Sequence, residues 1–73
     1  MFYLTGIQHS KEGDAIIPTV TYSTEDEYLQ KWHHEMDYAM SNEKLNGLTM
    51  IVFDESGRVV LNENWVRTVE EEL

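Results

Sequence analysis

The 73-residue chain has no cysteine, one proline and only five Lys and Arg. Without cysteine there is no disulfide and no thiolate metal site to staple it, a usage that fits a reducing compartment. No apolar stretch approaches the ~18 residues a membrane span needs. The opening "MFYLTGIQHS" has neither a basic n-region nor a long apolar h-region, so no signal peptide is expected and the expected location is the cytoplasm. There is no internal repeat, linker or low-complexity stretch, and neither GxxxxGK[ST] nor GxGxxG is found to cradle a phosphate. The shortage of basic residues weighs most: against fourteen acids it leaves a formal charge of −9. Direct binding to a nucleic-acid backbone needs Lys and Arg to neutralise phosphates and is not expected. An acidic surface is likewise repelled by membranes and steered toward basic partners, unless its only role is solubility.

Aliphatic and aromatic residues are plentiful and periodic, which argues against disorder. One small domain over residues 1–73 is expected, burying ~60% of the surface its unfolded chain exposes. "MFYLTGIQ" alternates as a strand, with Phe2 and Leu4 on one side and Tyr3, Thr5 and Ile7 on the other. "HSKEGD" supplies turn chemistry, and "AIIPTVTYS" reads as the return strand of a hairpin. Pro18, lacking an N–H, places that strand at a sheet edge or marks a bulge.

"STEDEYLQKWHHEMDYAMSNEK" is the one strong helix, opened by Ser23 or Thr24 with an acid three residues on. Tyr28, Leu29, Trp32, Met36, Ala39 and Met40 fall on one stripe, the expected core face. Asn46–Gly47 is expected to end the helix through a left-handed residue. "LTMIVFDESGRVVLNENWV" is a second hairpin: Leu48, Met50 and Val52 alternate with Thr49, Ile51 and Phe53, and Gly57 permits the turn. The tail "TVEEEL" is expected to fray or to end in a short helix. The fold class is therefore α+β, in the order β-β-α-β-β, an antiparallel four-stranded sheet with one helix packed on one face. One helix cannot cover both faces of that sheet. Tyr3, Ile7, Ile51 and Phe53 mark a second apolar face, a candidate interface for a partner or for a second copy.

"KWHHEMDYAM" gathers two histidines, two carboxylates and a tryptophan. A zinc helix wants two ligands at i,i+4. His33 and Asp37 satisfy that spacing, but His34 diverges from His33 by about 100° on the wheel. No metal site, cofactor or catalytic residue is therefore expected. A metal-dependent or acid/base enzyme centred on His33 and Asp37 is the third-ranked reading, since no Ser or Thr is marked as a nucleophile. Six acids face a single Lys over residues 25–43, and Glu27–Lys31 is the expected i,i+4 pair.

In length, acidity, its "EYLQKWHHEMDYAM" helix and its "DESGRVV…NWV" hairpin, the chain resembles small acidic accessory proteins of bacteriophages and prophages of Gram-positive bacteria. That resemblance implies a protein that binds host machinery, in some cases as an acidic DNA mimic. The leading expectation is a non-enzymatic protein-binding module of this type, inhibiting a host nucleic-acid-binding or defence protein. Its basic surface would meet Glu27, Glu35, Asp37, Tyr38, Asp54, Glu55 and Trp65. A structural, self-associating homodimer is the alternative.

Overall fold

The computed structural model describes residues 1–67, and the expectation for the tail "TVEEEL" lies outside them. Strands β1 (Phe2–Ser10) and β2 (Ala15–Tyr22) form the first hairpin, helix α1 (Glu25–Ser41) follows, and β3 (Leu45–Asp54) with β4 (Val59–Val66) forms the second. The order across the sheet is β2-β1-β3-β4, with every neighbouring pair antiparallel. The α+β, β-β-α-β-β reading therefore holds.

β1 and β3 pair at the centre and are the most buried strands. Their register sets Leu4 against Val52 and Gly6 against Met50, so the even-numbered residues of both face the helix. Leu4, Leu48, Met50 and Val52 are the largest fully buried side chains, and Trp32, Tyr28 and Ala39 close over them from α1. Gly6 leaves room for this layer. A Cβ there would run into the carbonyl of Thr49 and lie 3.0 Å from Met50 Cγ and 3.2 Å from Ile17 Cδ1.

Pro18 satisfies both of its expectations. It lies on edge strand β2, and the register slips there, between Leu4↔Val20 and Gly6↔Ile17. The DESG turn closes as its chemistry requires. Gly57 has φ +84°, its N–H donates to the Asp54 carbonyl at 3.0 Å, and Asp54 Oδ1 accepts from the N–H groups of Ser56 and Arg58.

The helix departs from expectation at two points. It ends at Ser41, capped by Asn42 in extended backbone, and Asn46–Gly47 lies inside β3 with no left-handed residue. Asn42 makes the early stop workable: its Oδ1 accepts from the Lys44 N–H and its carbonyl from the Leu45 N–H. The inward stripe is Tyr28, Trp32, Glu35 and Ala39, with Leu29 and Met36 packed against the core as expected, while Met40 is half exposed. At the other end Thr24 caps α1, its hydroxyl oxygen accepting from the Glu27 N–H at 3.3 Å and donating to Glu27 Oε1 at 3.2 Å.

Candidate functional site

The residues expected to form one acidic contact surface are spread over α1, the β3 end with its turn, and β4. Glu27 is exposed but engaged with the Thr24 cap. Glu35 is a correction: it is buried, 8% exposed, on the core side of α1. Its Oε1 takes the Lys31 ammonium at 2.6 Å and its Oε2 accepts from Gln8 Nε2 at 3.3 Å. Lys31 therefore pairs with Glu35 rather than Glu27, because Glu27 already caps the helix and Lys31 lies at the margin of the core. The hydrogen bond to Glu35 is the main cause that raises the Lys31 pKa above 10.5, against the opposing effect of burial.

Trp65 is a second correction. It pairs with Leu48 on the helix side of the sheet and is half-buried against the core, with the Arg67 guanidinium 5.1 Å from its ring centre, so it is no exposed anchor. Tyr38 is 48% exposed, and its hydroxyl accepts from Asn42 Nδ2 at 3.2 Å. Asp37, His33 and His34 are exposed, and His33 and Asp37 share no hydrogen bond or ion pair among the described residues. Asp54 is absorbed by its turn, where hydrogen bonds, the Ser56 hydroxyl first, hold its carboxyl below the ordinary value of 3.8. Glu55 accepts from the Met1 ammonium at 2.7 Å. Among the described residues no group of three or more His, Asp or Glu is placed to hold a metal ion.

The surface that does cohere is the sheet face away from α1. The odd-numbered residues of β1 and β3 place Tyr3, Thr5, Ile7, Thr49, Ile51 and Phe53 there. Ile16 joins them opposite Ile7, and Asn62 and Asn64 opposite Ile51 and Thr49. Tyr3 and Phe53 stack with centroids 5.3 Å apart. Thr5, Gly6, Ile7, Ile16, Thr49 and Ile51 line a shallow groove of about 250 Å³. Apart from His9, every ladder position on this face is uncharged, in a chain of net charge −9.

One end of the face carries a hydrogen-bonded chain with no signal in the sequence, since its members come from three strands and a turn. Asp14 Oδ1 lies 3.1 Å from His9 Nδ1, His9 Nε2 lies 2.9 Å from Thr49 Oγ1, and the Thr49 hydroxyl donates to Asn64 Oδ1 at 3.0 Å. The order acid, imidazole, hydroxyl is that of a nucleophilic triad. Two features make it a structural tie instead. The hydroxyl hydrogen is committed to Asn64 rather than offered to the imidazole. Thr49 is also paired with Ile7 on one side and Asn64 on the other, so its N–H lies within the sheet rather than toward a developing oxyanion above it.

Over 59 residues, 81% of its length, the chain is 34% identical to NADH-quinone oxidoreductase subunit 4 of Thermus thermophilus and, to the same extent, to an NADH-quinone oxidoreductase subunit of a second strain of that species. It spans 14% of the length of each of these curated relatives. No family model and no solved structure matches it. The expectation of an acidic phage-type inhibitor or DNA mimic is corrected by this likeness. The curated proteins it resembles are subunits of an oxidoreductase, and the acidic residues meant to meet a host protein are scattered or buried. No helix among the described residues is long and apolar enough to cross a membrane.

Proposed function

We propose that this chain is a non-catalytic building block of a protein assembly, joined to it through the uncharged outer face of its sheet. The observation that carries the reading is segregation of charge. Among the described residues the acids lie on the helix, in the turns and at the sheet margins, while Tyr3, Ile7, Ile16, Ile51 and Phe53 form a face with no carboxylate at its ladder positions. A contiguous apolar face of this kind on a small protein marks an interaction surface. The likeness to NADH-quinone oxidoreductase subunits supports the same reading, because a subunit works within an assembly. Membership of such an oxidoreductase is the narrower form of the proposal.

The test is co-purification. A tagged chain expressed at native level in its own cells is expected to elute in an assembly far larger than 8.6 kDa, together with NADH-quinone oxidoreductase subunits. Ile51→Lys, which sets a charge in the middle of the face, should release it, and Tyr38→Ala on the helix should not. A chain that elutes alone rejects the reading.

A further inference from the structure

We infer that the outer face of the sheet is covered by the same face of a second copy of this chain, in a two-fold pair with the helices outermost. This rests on the building-block reading above and names the first partner within it.

Size is the first argument. Four strands about 4.8 Å apart and about eight residues long at about 3.3 Å per residue have a footprint of about 500 Å². Two such faces bury about 1,000 Å² between them, the lower bound for a specific interface. Neither half of the face reaches that bound, so the occupant must match the whole sheet, and a second copy does so by construction.

Charge is the second argument. A basic partner would gain nothing from this face, because its ladder positions carry no Asp, Glu, Lys or Arg to complement. An equally uncharged surface loses nothing against it. The net charge of −9 does not forbid the pair. With sheets about 10 Å apart and a helix outside each, the acidic helix surfaces are about 30 Å from one another. That is several times the Debye length of about 8 Å at physiological salt.

Edge pairing is the competing route to a dimer. The β2 edge is blunted against it by Pro18 and its bulge, so among the described residues this route runs through the β4 edge.

The test is sedimentation velocity on the full chain over micromolar concentrations, at ~0.01 M and at ~0.3 M NaCl, where the Debye length falls from about 30 Å to about 6 Å. The expected species has twice the mass of the 8.6 kDa chain and associates more tightly at high salt, because screening relieves repulsion and the interface has no ion pair to weaken. Ile7→Lys combined with Ile16→Lys should weaken the pair by at least about 100-fold. Ile16→Lys alone, at a position already 77% exposed, should weaken it without any fold cost. Tyr38→Ala should leave it intact.

A monomer at every concentration overturns the inference. If the lysine variants then still free the chain from its assembly, a different protein covers the face and the building-block reading stands. If they do not, both fall. A dimer that survives both lysines, or that loosens with salt, is joined elsewhere, as through the β4 edge, and overturns the inference as well.

Discussion

Glu35 occupies a core position because Lys31 and Gln8 supply its two oxygens with donors there. Leaving such a carboxylate without its cation is what makes a buried pair costly to break. Lys31→Met keeps the alkyl stem and removes the ammonium, and is expected to destabilise the fold by about 1–3 kcal/mol, measured by urea unfolding at neutral pH. The same pair predicts a pH dependence. The folded Lys31 pKa is raised above its unfolded 10.5, so its contribution is fully present below that value and is lost as pH rises through the folded value. Stability of the wild type should therefore decline on the alkaline side above 10.5 more steeply than that of Lys31→Met. Gly6 makes a second prediction by sterics alone. A methyl group there meets the Thr49 carbonyl, a part of the central ladder that cannot rotate away, with Met50 and Ile17 close behind. Gly6→Ala is expected to cost about 1–3 kcal/mol in the same urea titration.

The elements were legible where a local pattern decides them. Alternation in β1 and β3 placed each residue on its correct face, Pro18 marked the edge and the bulge, and DESG marked the turn. The failures share one cause, a partner distant in sequence. Asn46–Gly47 reads as a helix stop, yet Gly47 is a strand residue. The Trp65 carbonyl crosses so near that a Cβ at Gly47 would lie 2.8 Å from it. Glu35 reads as solvent-facing because nothing near it announces Gln8. Trp65 reads as a free anchor because nothing near it announces Leu48. The end of α1 depends on such a partner too. Its last turn has no basic residue, and Arg67, arriving from the end of β4, takes that place. The Arg67 Nη2 donates to the carbonyls of Ala39, Met40 and Asn42, and its Nε to that of Leu45. The Ala39 and Met40 carbonyls are among those a helix end leaves without partners. Arg67→Ala should destabilise the protein by about 1.5–3 kcal/mol. Arg67→Lys should recover little of it, because an ammonium cannot reproduce the planar fork. Hydrogen exchange should show faster opening of Asn42 and Leu45, whose N–H groups close this junction, than of Leu4 and Val52 in the central strands.

At the scale of the whole molecule, the excess of acid is a standing cost to compactness. Fourteen acids face five Lys and Arg, and the ion pairs among the described residues are three: Met1–Glu55, His9–Asp14 and Lys31–Glu35. The first two are exposed and contribute little. Only Lys31–Glu35 is sheltered enough to resist screening. Glu25, Asp26 and Glu27 gain from the helix dipole, an attraction salt also weakens, but it acts within one turn and is worth a fraction of a kcal/mol per residue. Repulsion spread over the remaining surface outweighs it, so added salt should stabilise the fold. Raising NaCl from ~0.01 M to ~0.3 M shortens the Debye length from about 30 Å to about 6 Å. Recovery of about 1 kcal/mol would lift the melting midpoint by about 4–8 °C in a domain of this size. Self-association would raise the midpoint as well. The measurement therefore belongs on the Ile7→Lys/Ile16→Lys chain, where the outer face no longer pairs. A midpoint that still rises with salt isolates the relief of intramolecular repulsion. A midpoint that falls would mean that the few ion pairs, and not the unpaired acids, set the electrostatic balance of the fold.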